Sequence, residues 1–249
     1  ELPDNLFIPI MNICNTWYIA SIYLTMGLFI LELIRFIARK YVFYQAKQPL
    51  KTMLFFTFVA GASLLLWKAR QNVVEPVVVH QYIDIPKGSS TRDSLKIVMA
   101  SDMHIGEVIG KRQMEKLVAI SNAEKPDMVV FVGDLVDYES RFAGNGHLEE
   151  TLQQLQAPLG VFSINGNHEY RANWIAKRQW IRKFSTLLKD SVASPDNSFY
   201  LIGRDDFVNK KRKSLHELIA GIDTTKPIIV LDHQPWSFAE MRMNRVDLG

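Results

Sequence analysis

The sequence predicts an α/β protein, a layered β-sheet domain flanked by helices and preceded by N-terminal transmembrane helices. Three observations predict it. Two long apolar runs lie within residues 1–75, short apolar strands alternate with helical patterns in residues 76–249, and several of those strands end in aspartate, asparagine or histidine. The 249 residues are 48% hydrophobic, which is enough for a substantial core in addition to the apolar runs.

Residues 1–75 are predicted to form a membrane region with two transmembrane helices. Residues 17–38 are almost uninterrupted apolar sequence, and residues 52–67 form a second, shorter run. A span needs about 20 mostly apolar residues. Neither run has the polar face of a helix on the surface of a globular protein, so membrane spans are favoured over the alternative of two buried core helices.

Basic residues between the two runs predict the orientation in the membrane. They are Arg35, Arg39, Lys40, Lys47 and Lys51. The positive-inside rule assigns such a loop to the cytoplasm. We therefore expect a multi-pass membrane protein in contact with membrane lipids, with residues 76–249 on the outer (periplasmic or extracellular) side. Lys68 and Arg70, after the second run, argue against this orientation.

Residues 76–249 show alternating strand and helix patterns, as expected for a layered α/β domain. The predicted strands are 77–83 at an edge, 95–100, 127–132, 160–164, 199–202 and 227–231. The predicted helices are 111–122, 148–155, 173–188 and 215–220. The strand at 127–132 is apolar on both faces, which predicts a position inside a sheet covered by helices.

Charge and cysteine content exclude some functions for residues 76–249. This region contains 22 Lys or Arg and 22 Asp or Glu, so it has no net charge. Nucleic-acid binding usually requires a basic field, and we expect no nucleic-acid partner. Cys14 is the single cysteine of the sequence, which excludes an intrachain disulfide and a cysteine-based zinc site.

Potential metal ligands follow four of the predicted strands. They are Asp102 and His104 after the first, Asp134 after the second, Asn167 and His168 after the third, and His233 after the fourth. The carboxyl ends of strands in α/β proteins open into one crevice, so these side chains are expected to meet. Oxygen and imidazole ligands suit Mn, Fe or Zn. For Asp134 alone, the alternative is an aspartate that caps the following turn.

Three of these segments resemble the motifs of calcineurin-like metallophosphoesterases. The segments are Asp102-Met103-His104, Gly133-Asp134-Leu135-Val136-Asp137 and Gly166-Asn167-His168-Glu169. The resemblance covers about residues 95–249 and is closer to the membrane-attached bacterial branch of the superfamily. It implies a metallophosphoesterase domain at 76–249 that hydrolyses a phosphomonoester or a phosphodiester. Attachment to a membrane adds the expectation of a lipid-linked or envelope substrate.

The resemblance also implies a centre of two divalent metal ions, whose identity as Mn, Fe or Zn stays open. Asp102 and His104 would bind the first ion, and Asn167 and His233 the second. Asp134 would bridge both, because one carboxylate has two oxygens. Two cations close together can activate a water and neutralise phosphoryl oxygens during in-line attack.

His168 would not be a ligand in this scheme. By resemblance it would face the substrate phosphate and either stabilise charge or protonate the leaving oxygen. Asp137 and Glu169, within the same motifs, are expected to orient their neighbours, as is Asp232 next to His233.

The family normally closes its site with a Gly-His-x-His segment that gives one more ligand to each metal. The sequence has no such segment before Gly249, and we expect it to be a fragment that stops short of it. The alternative is a catalytically inactive, membrane-anchored interaction protein with the same fold.

Overall fold

The computed structural model of the protein describes residues 3–38, 48–106, 108–137, 147–234 and 236–249. The chain divides into two compact units, Glu1–Pro76 and Val77–Gly249. The predicted α/β class is confirmed in the second unit, where parallel strands alternate with helices.

The first unit contains two long helices, α1 (Asp4–Ala38) and α2 (Gln48–Val74). Within them, Asn5–Ile37 and Thr52–Val73 are long and apolar enough to cross a membrane. Only 6% and 0% of the residues in their most apolar windows are buried, so these helices do not form the core of a globular unit.

Helix α1 begins well before the predicted span at 17–38, because its polar residues bond to its own backbone. Asn12 donates a hydrogen bond from Nδ2 to the carbonyl of Ile8 (2.9 Å), and Thr16 donates from Oγ1 to the carbonyl of Asn12 (2.7 Å). Such i−4 bonds let polar side chains lie within a helix without interrupting it.

The described residues of the second unit form two sheets. In the first, four parallel strands lie in chain order: β1 (Ile97–Ala100), β2 (Met128–Val132), β3 (Val161–Ile164) and β4 (Thr186–Leu187). In the second sheet, β5 (Ser191–Ala193) is antiparallel to β6 (Tyr200–Gly203), which is parallel to β7 (Ile228–Leu231).

Five α-helices of the second unit are described. They are α3 (Lys111–Ala123), α4 (Leu148–Leu152), α5 (Trp174–Ile181), α6 (Leu215–Ile219) and α7 (Phe238–Met243). A short 3₁₀ turn, His168–Tyr170, follows β3. These helices lie on the outer faces of the two sheets, α3 to α5 beside the first sheet and α6 and α7 beside the second.

The two sheets pack against each other, so the domain has an α/β/β/α order of layers. Along β2, Val129 and Phe131 face the helices, whereas Met128 and Val130 face the second sheet. The expectation that helices cover both faces of this strand was therefore wrong on one face. A strand of apolar residues indicates that both of its faces are buried, but it does not indicate whether helices or a second sheet cover them.

The predicted edge strand at 77–83 was also wrong. This segment has no strand structure, and the side chains of Val77, Val79 and Tyr82 are largely exposed. A β-branched run favours a strand only where a neighbouring strand offers ladder hydrogen bonds and a surface to pack on.

The predicted helix at 173–188 ends at Ile181, where the chain turns and enters β4. Thr186 pairs with Phe162 of β3, and the hydroxyls of Ser163 and Ser185 lie 2.8 Å apart. Pairing with the sheet therefore overrides the helical pattern of the sequence at this point.

Candidate metal centre

The loops after β1 and β2 are joined by backbone hydrogen bonds at the carboxyl edge of the first sheet. The amide of Asp102 donates to the carbonyl of Gly133 (3.1 Å), and the amide of His104 donates to the carbonyl of Asp134 (3.0 Å). Because β1 and β2 are parallel neighbours, the two loops leave the same edge side by side. This pairing carries Asp102 and His104 to Asp134.

Asp134 lies at the centre of three imidazoles. It is 3% exposed, and its Oδ2 lies 3.5 Å from Nε2 of His233, 3.7 Å from Nε2 of His104 and 4.0 Å from Nε2 of His168. Most of these separations exceed a good hydrogen bond. They suit atoms that share a cation, because ligands about 2 Å from one ion lie roughly 3–4 Å apart.

Asp102 completes one group of possible ligands. Its Oδ1 lies 3.9 Å from Nε2 of His104, and one ligand atom each of Asp102, His104 and Asp134 lie within 4.8 Å of one another. All three residues have a positive φ, of 55°, 46° and 51°. Non-glycine residues rarely adopt this conformation, and where they do they cluster at functional sites.

His168 is held against both Asp134 and Asp137. Its backbone amide donates to Oδ1 of Asp134 (2.8 Å), and its Nδ1 lies 2.8 Å from Oδ1 of Asp137. Its ring meets the ring of His104 edge-on, with centroids 4.5 Å apart. His104, Asp137 and His168 form a second group whose ligand atoms lie within 4.8 Å of one another. That His168 is not a ligand therefore stays a prediction.

His233 reaches this group from the second sheet. Its Nδ1 is 2.8 Å from the carbonyl of Val132, which directs Nε2 towards Asp134. The interaction with Asp134 raises the pKa of His233 to about 9, against the opposing effect of burial. Burial alone would raise the pKa of Asp134, but His233 and the amide of His168 hold it below its ordinary value. Asp134 is therefore a buried carboxylate that stays ionised.

Asn167 follows the end of β3 by three residues, immediately before the 3₁₀ turn, and is partly buried. Both of its neighbours in the chain approach Asp134. A Cβ atom at Gly166 would lie 2.2 Å from Oδ1 of Asp134, so only glycine fits at this position. Gly133, with a φ of +82°, is similarly restricted, because a Cβ there would lie 2.6 Å from Nδ1 of His233.

Glu169 links the loops after β2 and β3. Its fully buried carboxylate accepts hydrogen bonds from the amides of Asp134 (2.8 Å), Val136 (3.0 Å) and Gly166 (2.8 Å). Burial raises the pKa of Glu169, and the charge of Asp134 acts in the same direction against these amides. Its position in the motif predicted a residue that orients its neighbours. Its hydrogen bonds to these three amides hold the two loops together, as such a residue would.

Lys177 was not predicted as part of the site. It is fully buried on α5, and its Nζ donates to the carbonyl of His168 (2.8 Å). Burial lowers the pKa of Lys177, while Glu169 and Asp137 oppose that effect. The surrounding sequence is a basic amphipathic segment in which a lysine is normally exposed, so the residue pattern contains no signal of this burial.

Comparisons with known proteins identify the family of the domain that carries these residues. The model of the calcineurin-like phosphoesterase family matches residues 95–248. The chain is 32% identical over 157 residues to an uncharacterised metallophosphoesterase of Aquifex aeolicus. It is 30% identical over 194 residues to a transmembrane protein with a metallophosphoesterase domain from Bos taurus, and 28% over 190 residues to the Danio rerio protein of that name.

These matches cover 61% of the chain for the Aquifex aeolicus protein and 70% for each vertebrate protein. They cover 58% of the length of the bacterial relative and 43% of the length of each vertebrate one. The chain thus spans about half the length of these relatives. The resemblance predicted from three short motifs is confirmed over the whole of the family model's match.

Proposed function

The chain belongs to the calcineurin-like phosphoesterase family, and we propose that it hydrolyses a phosphomonoester or a phosphodiester at a centre of two divalent cations. One observation carries this proposal. A buried carboxylate, Asp134, is surrounded by three imidazole nitrogens at 3.5–4.0 Å. A buried negative charge needs positive compensation, and these nitrogens and oxygens are donors that Mn, Fe and Zn accept.

The donors divide into two sets that share Asp134. Asp102 and His104 would hold one cation, and Asn167 and His233 the other. Bound cations would polarise the phosphoryl oxygens and supply a nucleophilic water. The neutral amide of Asn167 would add a ligand without adding negative charge, which favours an anionic substrate. Asp134 would keep the two sets together, with its position fixed by the amide of His168 and by Gly166.

His168 is proposed to act on the leaving oxygen of the ester. Its contact with Asp137 holds the ring through Nδ1 and leaves Nε2 directed into the site, 4.0 Å from Oδ2 of Asp134. An imidazole held in this way can donate a proton to a departing alkoxide. Lys177 and Glu169 would support this geometry through the backbone. Lys177 bonds to the carbonyl of His168, and Glu169 bonds to the amide of Gly166.

The test is hydrolysis of an aryl phosphodiester and an aryl phosphomonoester by the full-length protein, with Mn²⁺ and after chelation. Activity should require metal, and Asp134→Asn should lose both bound metal and turnover. His168→Ala should keep its metal and lose rate. The control is Asp93→Asn, which alters an exposed carboxylate paired with Lys87. Full activity of Asp134→Asn would remove this residue from the site.

We further propose that α1 and α2 anchor the protein in a membrane as a multi-pass protein. The exposed apolar surfaces of Asn5–Ile37 and Thr52–Val73 support it, as do the two relatives whose names describe transmembrane proteins. The basic residues between the helices favour a cytoplasmic loop and a catalytic domain on the outer side. A substrate at this location would be lipid-linked or part of the cell envelope.

A further inference from the structure

Exposed apolar and basic side chains lie together on the loop that follows β6 and on the segment from the end of β7 to the start of α7. Phe207 and Val208 are 48% and 49% exposed, and Trp236 and Phe238 are 75% and 63% exposed. Two exposed lysines belong to the same region. We call this set the rim surface: Phe207, Val208, Lys210, Lys211, Trp236 and Phe238.

Hydrogen bonds join the two loops into one surface. Gln234 donates from Nε2 to Oδ2 of Asp206 (3.0 Å) and accepts at Oε1 from Nε1 of Trp236 (2.9 Å). Arg212 donates from Nη2 to Oγ of Ser237 (3.1 Å), which ties the far end of the first loop to the second. These hydrogen bonds hold the backbone that carries the large apolar side chains in place.

The lysines of the rim surface carry exposed positive charge. Nζ of Lys210 lies 4.2 Å from the ring centroid of Phe207, a cation–π contact. In the part of the chain that the structure describes, no carboxylate lies within ion-pair distance of Lys210 or Lys211. The aspartates of the same loop, Asp205 and Asp206, are buried and accept internal hydrogen bonds. The outer face therefore combines aromatic surface with positive charge.

The rim surface lies beside the candidate metal centre. Gln234 and Trp236 follow His233 closely in the chain, and Nε2 of His233 lies 3.5 Å from Oδ2 of Asp134. Asp206, which accepts the Gln234 amide, belongs to the loop that carries Phe207. A partner bound to the rim surface would therefore lie close to the proposed phosphate site.

We propose that the rim surface docks on an anionic lipid surface. Aromatic side chains favour the boundary between headgroups and acyl chains, and lysines are attracted to anionic headgroups. Large exposed apolar patches are uncommon on domains that have no partner. The docking rests on the proposed membrane attachment, which keeps this domain close to a bilayer. Docking of the rim surface on a bilayer would limit the proposed substrates to phosphate esters that lie among the lipid headgroups.

The experiment places an environment-sensitive fluorophore on the rim of the full-length protein in lipid nanodiscs. Cys14→Ser removes the single native thiol, and Val208→Cys supplies the labelling site. A matched probe at Glu115→Cys, on the exposed face of α3, reports the same domain away from the rim. The discs contain either phosphatidylcholine alone or phosphatidylcholine with phosphatidylglycerol.

With anionic lipid, the probe at residue 208 should shift to the blue and be quenched by spin-labelled lipid, whereas the probe at residue 115 should not. Lys210→Gln with Lys211→Gln should lower the ratio of docked to undocked protein about 30-fold, because each lysine near an anionic surface contributes about fivefold. The control pair, Lys111→Gln with Arg112→Gln, removes two adjacent basic residues from α3 and should leave docking unchanged.

A water-exposed probe at residue 208 in anionic discs would overturn the proposal. An equal loss of docking in the control variant, Lys111→Gln with Arg112→Gln, would also overturn it. Protein that fails to remain with the discs would overturn both membrane attachment and docking. Hydrolysis of a soluble aryl phosphoester in detergent separates docking from catalysis. The Lys210 and Lys211 changes should not affect it, whereas Asp134→Asn should abolish it whatever the rim does.

Discussion

Arg204 donates a hydrogen bond to Asp232, with its Nη1 3.2 Å from Oδ2, at the residue that immediately precedes His233. Arg212 lies on the other side, with its Nη1 3.3 Å from Oδ1 of the same carboxylate. Both arginines also donate to the hydroxyl of Ser237, at 2.9 Å and 3.1 Å. The turn that carries His233 is therefore held from two directions, by the buried Arg204 and the partly buried Arg212.

Loss of the Asp232 charge should strongly destabilise this turn. In Asp232→Asn, Arg212 would lose its carboxylate partner, whereas Arg204 would keep its ion pair with Glu240 (2.8 Å). Removing one partner of a fully buried ion pair costs about 3–5 kcal/mol, and the pair that Arg204 keeps with Glu240 should hold the loss near the lower end of that range. Thermal unfolding of the full-length protein in detergent measures the loss.

Asp93→Asn provides the control for this change, because Asp93 forms an exposed pair with Lys87. Exposed pairs contribute about 0–1 kcal/mol, so its unfolding temperature should stay near that of the wild type. Equal unfolding temperatures for the two variants would show that the two arginines do not depend on Asp232.

Gly166→Ala should disturb the centre without changing any charge. The added Cβ would lie 2.2 Å from Oδ1 and 2.5 Å from the amide nitrogen of Asp134, so the carboxylate must move. Misplacement of a catalytic group by about 1 Å can reduce turnover about 100-fold. We expect weaker metal retention and a loss of this size, measured by metal analysis and by aryl phosphoester hydrolysis.

Gly110→Ala is the matched control for that substitution. Gly110 precedes α3, and a Cβ there would have no atom within 4 Å among the described residues. It should keep both metal and activity. If Gly166→Ala behaved in the same way, the close packing of Gly166 on Asp134 would not constrain the site.

Much of the first sheet could be predicted because its signals are local. The strand β2 consists of apolar residues only and is followed by Gly133, so its limits are visible in the sequence itself. In contrast, β4 has only two residues, and its existence depends on pairing with β3, whose residues are distant in the chain. Short strands of this kind carry no periodic pattern.

The candidate site divides in the same way. Asp102, His104 and Asp134 follow strands directly, so position and residue type together identified them as a group. Lys177 and Arg204 have no such local signal. Their partners, the carbonyl of His168 and the carboxylate of Asp232, lie 9 and 28 residues away, and only the fold brings them together.

The pair of His233 and Asp134 predicts how metal removal changes the effect of pH. In the metal-free protein, Asp134 raises the pKa of His233 from 6.5 to about 9. Because the folded-state pKa lies above the unfolded value, this contribution is fully present below about pH 6.5 and is lost as the pH rises through about 9. A shift of this size corresponds to about 3 kcal/mol.

Unfolding temperatures of chelated protein, measured between pH 6 and pH 10, check this expectation. The stability that His233 contributes should fall over this range, and His233→Gln should remove the fall. Saturating Mn²⁺ should also suppress it, because a metal ligand must be deprotonated. A pH dependence that is unchanged in His233→Gln would assign the titration to another group.

The charges around α1 and α2 predict the topology of the membrane region. Arg35, Arg39 and Lys40 follow or end the first candidate span, whereas Lys68 and Arg70 lie near the end of the second. Since positive charge is retained in the cytoplasm, a reporter fused after Gln48 should be cytoplasmic and one fused after Ser90 should be outside. Alkaline phosphatase and a fluorescent protein, fused at each site, distinguish the two compartments.

Neutralising basic residues before the second candidate span and near its end tests this prediction further. Replacing Arg39, Lys40 and Lys47 by glutamine should shift part of the population to the opposite orientation, because the remaining Arg35 and Lys51 then only equal Lys68 and Arg70 in positive charge. Lys68→Gln with Arg70→Gln should have the reverse effect and make the original orientation more uniform. A cytoplasmic reporter at Ser90 in the unmodified protein would place the phosphoesterase domain inside the cell and exclude an outer-envelope substrate.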